Sequence, residues 1–167
     1  GDDTNTTAAD LSLYLKQKNY NLTVVGLPKT IDNDVYPITQ TMGAWTAAEQ
    51  GAIFFENIIN ENTTSERQLI IHEVMGRHCG WLTAATALEY RKRLNNINFI
   101  PEINILKNKW DIHSLLIPEE DLCFDKECKR LNEVMDKYDC VNIFLSEGAG
   151  MDVIIKETAK AGEKILR

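Results

Sequence analysis

The sequence contains few of the residues that would cross-link a small chain or bind a soft metal. Its four cysteines are Cys79, Cys123, Cys128 and Cys140, and no two of them form a Cys-x-x-Cys pair. No histidine stands near them at the spacing of a zinc ligand set, so the pattern indicates neither a zinc site nor a disulfide framework. We therefore expect free thiols, as in the reducing cytoplasm.

Long apolar runs and an excess of basic residues are also missing. The apolar stretches are well short of the roughly 20 residues that span a membrane. The chain has 18 lysines and arginines against 25 aspartates and glutamates, and the net charge of −7 argues against nucleic acid as its main partner. The chain opens on Gly-Asp-Asp without a signal-like leader, so we expect a cytoplasmic protein whose first residues were cut from something longer.

What the chain does contain is a regular alternation of strand-like and helix-like segments. With 167 residues, 44% of them hydrophobic, it is long enough to bury the core of one domain. Short apolar runs predict strands at 22–25, 68–74, 112–118 and 141–145. Helical spacing of apolar residues predicts helices at 8–18, 41–61, 78–94 and 126–137, with a last helix running to Arg167. We read 95–111 as a connecting loop. The alternation predicts an α/β fold of three layers, with a mostly parallel sheet between helices.

The densest chemistry lies in the loop after the first predicted strand, GLPKTIDNDVY at 26–36. Loops at the carboxyl ends of parallel strands are where open α/β sheets bind ligands. Lys29 is a cation, Thr30 a hydroxyl, and Asp32 and Asp34 are carboxylates, a set that suits a phosphoryl group, its metal and a nucleophilic hydroxyl. The alternative is a turn rich in Asn and Asp, which is the commoner use of Asp-Asn-Asp.

Two further glycine-bearing loops follow predicted strands. Gly76 and Arg77 end one strand, and an arginine there can bind a phosphate or carboxylate through two hydrogen bonds. Glu147 stands on the turn after another strand. Asp2 and Asp3 stand at the start of the first helix, where acids can hold a bridging metal next to bound phosphate or can merely cap the helix. We expect these three loops and the amino-terminal acids to lie along one edge of the sheet.

Four motifs occur in an order and at separations that resemble the phosphofructokinase family. They are GDD at 1–3, PKTIDND at 28–34, HEVMGRHCGW at 72–81 and SEGAG at 146–150. The resemblance covers essentially the whole chain and implies the Rossmann-like phosphofructokinase fold. Lys29 and Asp3 resemble the pyrophosphate-dependent branch, because ATP-dependent bacterial members usually have glycine at both places.

The resemblance implies a transfer of a phosphoryl group from pyrophosphate to the 1-hydroxyl of fructose 6-phosphate, a reversible step of glycolysis. Asp32 would be the general base that takes the proton from that hydroxyl. Thr30 and Lys29 would contact the transferring phosphoryl group and the leaving phosphate. Asp3 would fill the space of a nucleotide's α-phosphate and so act against ATP.

The resemblance also implies a Mg²⁺ ion and an acceptor site. Asp2 would help to hold Mg²⁺, and Asp34 would support the metal or its loop. Arg67 would reach the 6-phosphate of the sugar across a subunit boundary, which implies a homo-oligomer, either a dimer or a tetramer. The residues implied for the sugar phosphate itself are Met75, Gly76, Arg77 and Glu147, with Arg77 as the charged contact that also assists catalysis.

Within this family, residues 1–167 would be one α/β region from the central part of a longer chain. The family's glycine-rich strand before GDD and a segment after Arg167 would be missing. Three alternatives stay open: an ATP-dependent phosphofructokinase, a non-catalytic regulatory subunit of the same fold, and a purely structural α/β domain. We expect fructose 6-phosphate and pyrophosphate as partners, with neither nucleic acid nor a membrane.

Overall fold

The computed structural model describes residues 1–161, except for the side chains of residues 2, 63 and 161. The strands are β1 Lys29–Thr30, β2 Met42–Gly43, β3 Gln68–Val74, β4 Ser114–Leu116 and β5 Cys140–Ser146. The helices are α1 Asp2–Gln17, α2 Ala44–Ile58, α3 Trp81–Leu94, α4 Lys107–Trp110, α5 Phe124–Tyr138 and α6 Met151–Ala161. Short 3₁₀ turns occupy Ile59–Thr63 and Pro101–Ile103. The last helix was predicted to run to Arg167, and the part of that prediction at 162–167 lies outside the described residues.

The main sheet is parallel and has the order β3-β5-β4. β3 and β5 pair over their whole length, from Gln68 opposite Cys140 to Val74 opposite Ser146. Because both strands end at the same level, the loops that follow them leave the sheet side by side. A smaller parallel pair joins β1 to β2. The parallel α/β sheet predicted from the alternation of elements is therefore confirmed.

The core lies between the sheet and the helices α2 and α3. Phe144 of β5 is fully buried, and its ring meets Phe55 of α2 with a 4.6 Å separation of centroids. Phe55 in turn packs edge-to-face on Tyr90 of α3 at 4.7 Å, an arrangement that aromatic rings prefer. β5 is buried on both faces, and α5 contacts it as well. Layers of helices therefore enclose the central strand.

The strand predicted at 22–25 is wrong, because the structure has no strand there. Leu22 and Val25 are 63% and 74% exposed, so their apolar side chains are not part of the core. A strand needs a neighbour for its backbone hydrogen bonds, and no described residue pairs with this run. An apolar composition alone could not supply that neighbour.

Three other predictions need smaller corrections. Trp45 belongs to the apolar stripe that predicted the helix at 41–61, and a core position is expected for it. It is 42% exposed, because the buried face of α2 runs through Ala44 and Ala48 and position 45 lies about 100° away from it. The loop read at 95–111 contains the short helix α4. The strand predicted at 112–118 is reduced to β4. Among the described residues, no helix has the length and apolar character needed to cross a membrane.

Two partly buried histidines should make the fold sensitive to acid. The ring of His72 packs on Phe55 and Phe144, and burial lowers its pKa below the ordinary 6.5. His113 accepts a hydrogen bond at Nδ1 from the Asn142 amide, and its Nε2 lies 2.9 Å from the Asn108 carbonyl oxygen, so the neutral ring is the form that fits. Burial lowers the pKa of His113 as well.

We expect the free energy of unfolding to fall as the pH drops below about 6.5, because the unfolded chain then binds protons that the folded chain excludes. At a pH well above the ordinary pKa of 6.5, the two histidines are neutral in both states and contribute no pH dependence. His72→Phe should make the decline between pH 7 and pH 5 shallower, while slopes above pH 7 stay equal. Chemical denaturation at a series of pH values measures this, and an unchanged slope between pH 7 and pH 5 in the variant would contradict it.

Candidate active site

The first part of the site is the loop that carries Thr30 and Asp32. The Thr30 hydroxyl donates a hydrogen bond to Asp32 Oδ2 over 3.1 Å, and the Asp32 amide donates to Thr30 Oγ1 over 3.2 Å. Lys29 and Asp34 are exposed, and neither has an ion-pair partner among the described side chains. The loop therefore offers one carboxylate held in place and two charges that are open to a ligand.

The second part is the turn after β3. Gly76 has a φ of +139°, which residues with a side chain rarely adopt, and a Cβ there would overlap the Cys79 carbonyl oxygen. The Gly80 amide donates a hydrogen bond to Glu119 Oε1 over 2.7 Å. The Cys79 thiol donates to the Asp32 carbonyl oxygen, with Sγ 3.5 Å from that oxygen. Glu119 thus anchors the end of this turn, and Cys79 brings the turn into contact with the Asp32 loop.

The third part is the turn after β5, which is joined to the second. Ser146 Oγ donates a hydrogen bond to the Gly76 carbonyl oxygen over 2.6 Å, and the Glu147 amide donates to the Val74 carbonyl oxygen over 2.9 Å. Arg77 Nη2 lies 3.2 Å from Glu147 Oε1, with the two side chains 73% and 35% exposed. Exposed pairs of this kind stabilise a fold by about 0–1 kcal/mol, so the pair mainly orients both side chains.

A cavity of about 830 Å³ opens beside the joined turns. Its walls include Arg77, Glu147 and the first residues of α6, together with Pro118 and residues 120–122. The volume lies in the range of about 300–1,000 Å³ that is typical of small-molecule sites. Lys29, Thr30 and Asp32 are not among the lining residues. The Asp32 loop therefore does not line this cavity. It contacts the turn after β3 through Cys79.

The carboxylates of Glu119, Asp34 and Asp32 all lie near enough to Cys79 to affect its thiol. Burial, followed by the nearby carboxylates of Glu119, Asp34 and Asp32, raises the pKa of the Cys79 thiol, although a backbone hydrogen bond at Trp81 acts in the opposite direction. A thiol with a raised pKa stays protonated at neutral pH and is a weak nucleophile. Cys79 is therefore a structural contact in this site and not a reactive group.

Oxygen ligands for a hard cation are present, but they do not form a closed cage. Among the described side chains, which do not include that of Asp2, no three from His, Cys, Asp or Glu gather in a way that could hold a metal ion. Mg²⁺ does not need such a cage, because it is usually bound by one or two carboxylates together with substrate phosphates and water. Asp32 and Asp34, which both act on Cys79, are ligands of that kind.

The chain is similar in sequence to known proteins over its whole length. The family model described as Phosphofructokinase matches residues 1–166. The chain belongs to the phosphofructokinase family. It is 56% identical over 167 residues to the pyrophosphate–fructose 6-phosphate 1-phosphotransferase of Methylomonas methanica, a match that covers 100% of the chain and 41% of the relative. The enzyme of the same name from Methylotuvimicrobium alcaliphilum is 57% identical, with the same two coverages.

Solved structures of the phosphofructokinase family have the same fold. The crystal structure of the pyrophosphate-dependent phosphofructokinase from Marinobacter aquaeolei superposes with a TM-score of 0.65 at 27% identity, and the match covers 98% of this chain and 41% of that one. The fold predicted from the resemblance is therefore confirmed. The chain spans about two fifths of the length of the relatives it matches.

The first turns of α1 lie close to Gly26, ahead of Lys29 in the chain. Asp3 is exposed in the first turn of α1. Asn5 of the same helix approaches Gly26 closely, with its Oδ1 2.6 Å from where a Cβ of residue 26 would lie. The start of α1 is thus placed beside the segment that leads into Lys29. The side chain of Asp2 lies outside what the structure describes, so its predicted role stays a prediction.

Arg67 is the predicted site residue that the fold places apart from the others. It precedes β3, at the opposite end of that strand from Arg77. Its guanidinium pairs with Asp136 over 2.9 Å, and its amide donates to Asp139 Oδ1 over 3.0 Å. Because the resemblance assigns Arg67 to a neighbouring subunit's substrate, its place within one chain does not test that role. Met75 is 63% exposed on the turn after β3.

Several residues that hold the site together were missed in the sequence. Thr41 stood inside the predicted helix 41–61, yet it is a buried residue before α2 that binds the Asp32 loop. The acids at 119–121 suggest only the start of a helix in the sequence, and Ser146 only the first residue of SEGAG, yet Glu119 and Ser146 both make hydrogen bonds that hold the turns of the site. A threonine directly before an apolar helical stripe is a typical signal of a helix start, so Thr41 was the one that could have been noticed.

Proposed function

We propose that the full-length protein transfers a phosphoryl group from pyrophosphate to the 1-hydroxyl of fructose 6-phosphate, giving fructose 1,6-bisphosphate and phosphate. The observation that carries the proposal is the contact between Cys79 and the Asp32 carbonyl oxygen. It brings a loop suited to phosphate next to the turns with Arg77 and Glu147, in a chain 56% identical to a relative named for this reaction.

In the proposed reaction, Asp32 accepts the proton of the sugar's 1-hydroxyl as its oxygen attacks one phosphorus of pyrophosphate. The new P–O bond forms while the bond to the leaving phosphate breaks, so the electron pair of the broken bond leaves with phosphate. Thr30 donates to Asp32 Oδ2, which leaves Oδ1 for the substrate. General-base assistance of this kind accelerates a reaction by about 10²–10⁴-fold.

The donor would lie between Lys29 and the start of α1. The exposed ammonium of Lys29 and the Thr30 hydroxyl would contact the phosphoryl group and the leaving phosphate. Asp3 would place its negatively charged carboxylate where a nucleotide carries its α-phosphate, which is negatively charged too. Two like charges about 4 Å apart repel by about 1–4 kcal/mol near a protein surface, which is enough to favour pyrophosphate over ATP.

The acceptor would occupy the cavity beside the joined turns. Glu147 would accept hydrogen bonds from sugar hydroxyls, and Arg77 would contact the charged groups of the substrate, with Met75 and Gly76 lining the approach. The 6-phosphate would be bound by Arg67 of a neighbouring subunit, which makes the active protein a homo-oligomer. We keep a cytoplasmic location as part of the same proposal.

Mg²⁺ would be held by Asp2 and the donor phosphates, with Asp34 supporting the metal or the loop that carries Asp32. The carboxylate oxygens near Cys79 are ligands that suit this hard cation. When bound, Mg²⁺ would offset the negative charge of the phosphates. The chain's own side chains would orient the two substrates and take up the proton.

A donor comparison tests the proposal. Initial rates of the full-length protein with fructose 6-phosphate should be at least about tenfold higher with pyrophosphate than with an equal concentration of ATP. The double variant Asp3→Gly, Lys29→Gly should lose most of the pyrophosphate rate. A clear preference for ATP would favour the ATP-dependent alternative, and no turnover with either donor would favour a regulatory subunit. Wild-type donor kinetics in the double variant would remove both donor assignments.

A further inference from the structure

Thr41 connects the Asp32 loop to the core. It is 1% exposed and lies directly after that loop, before the buried face of α2 begins at Ala44. Its hydroxyl donates a hydrogen bond to the Thr30 carbonyl oxygen over 2.7 Å. This is the shortest hydrogen bond between the loop and the start of α2, and it ends on the residue two before Asp32.

Asn33 completes the connection from the other side of Asp32. Its Oδ1 accepts a hydrogen bond from the Thr41 amide over 2.8 Å, and its Nδ2 donates to the Thr39 carbonyl oxygen over 3.3 Å. The Thr41 hydroxyl also lies 3.2 Å from Asn33 Oδ1. A hydroxyl has one proton to donate, so the shorter contact to Thr30 is its hydrogen bond. Asn33 has a φ of +55°, a conformation that asparagine tolerates better than most residues.

We infer that Thr41 is a positioning residue for Asp32, acting through Thr30 and Asn33 without touching the substrates. Thr30, two residues before Asp32, and Asn33, the residue after it, are both bonded to Thr41, so the direction of the carboxylate follows from where Thr41 lies. The inference rests on the proposed function to the extent that Asp32 is taken as the general base. A misplacement of about 1 Å at a reacting group can lower the rate by about 10²-fold.

A purely structural role in starting α2 does not explain the hydroxyl. The N-cap of α2 is Gly43, and the contacts of the Thr41 hydroxyl are with the Thr30 carbonyl oxygen and Asn33 Oδ1. The Ala44 amide at the start of α2 donates instead to the Thr41 carbonyl oxygen, over 3.4 Å. Helix initiation therefore needs the backbone of Thr41 but not its Oγ1. The hydroxyl bonds only toward the loop.

Thr41→Val, Thr41→Ser and Thr86→Val in the full-length protein test the inference. Valine keeps the shape of threonine and removes the hydroxyl, whereas serine keeps the hydroxyl. Thr86 is the matched control, because it is equally buried in α3 and its hydroxyl has no hydrogen-bond partner in the described part of the chain. Thr41→Val should lower kcat about tenfold with KM for fructose 6-phosphate within about twofold. Serine at 41 should restore most of the rate, and Thr86→Val should keep it.

Amide hydrogen exchange separates this inference from the proposed function. Loss of one hydrogen bond should speed the exchange of amides in residues 29–42 by about three- to tenfold in Thr41→Val and not in Thr86→Val. If the wild-type protein turns over neither donor, this exchange result alone decides whether Thr41 holds the loop. Unchanged exchange in Thr41→Val, wild-type kcat in that variant, or an equal loss of kcat in Thr86→Val would each overturn the inference.

Discussion

Replacing Asp32 with asparagine is expected to lower the turnover of the full-length protein by about 10²–10⁴-fold. Asparagine has the shape of aspartate and can still accept the hydrogen bond that Thr30 donates to Asp32 Oδ2. The backbone contact from Cys79 to the Asp32 carbonyl oxygen is unaffected by the side chain. The variant therefore removes the proton acceptor while the loop keeps its conformation.

Turnover and substrate binding must be measured together for this variant. Steady-state rates give kcat, and calorimetric titration gives the affinity for fructose 6-phosphate, which should stay within about threefold of wild type because Asp32 would act only on the reacting hydroxyl. Asp10→Asn, at an exposed position of α1, is a matched control and should keep the wild-type rate. A wild-type rate in Asp32→Asn would mean that another group takes the proton.

The sequence identified the ends of the strands better than it identified strand neighbours. Apolar runs located β3 and β5, and the rule that ligands bind at carboxyl ends indicated that the loops after residues 74 and 145 would lie along one edge of the sheet. The order β3-β5-β4 was not predicted, because the period of a strand does not tell which strand lies beside it. The failure at 22–25 has the same origin, since an apolar run there has no partner in the described structure.

The chemical groups of the site could be predicted, but the contacts that hold them could not. Lys29, Asp32 and Arg77 are recognisable from charge and position in the chain. The bonds from Thr41 and Glu119 join residues that are 11 and 39 positions apart, and no local pattern encodes a distance of that kind. Those contacts depend on how the loops fold over the sheet, and they are visible only in three dimensions.

Gly148→Ala is expected to lower kcat/KM by about 10²-fold and the free energy of unfolding by about 1–3 kcal/mol. A Cβ at residue 148 would overlap the Arg77 carbonyl oxygen and lie 2.6 Å from the Arg77 carbonyl carbon. These are backbone atoms, so no side-chain rotation can relieve the overlap. The turn with Arg77 would have to move away from the turn with Glu147. The hydrogen bond from Ser146 Oγ to the Gly76 carbonyl oxygen, 2.6 Å long, opposes that movement because it joins the two turns.

Gly51→Ala is the matched control for this change. A Cβ at Gly51 in α2 would meet the Thr86 methyl group at 2.9 Å, which is the end of a side chain, and alanine favours the helix by about 1 kcal/mol. Gly51→Ala should therefore keep the wild-type kcat/KM, as assayed with pyrophosphate and fructose 6-phosphate. If Gly148→Ala also kept it, with thermal unfolding unchanged, the close approach of the two turns would not be required for binding the sugar phosphate. A loss confined to Gly148→Ala would instead show that Arg77 and Glu147 act as one unit, which neither motif alone could indicate.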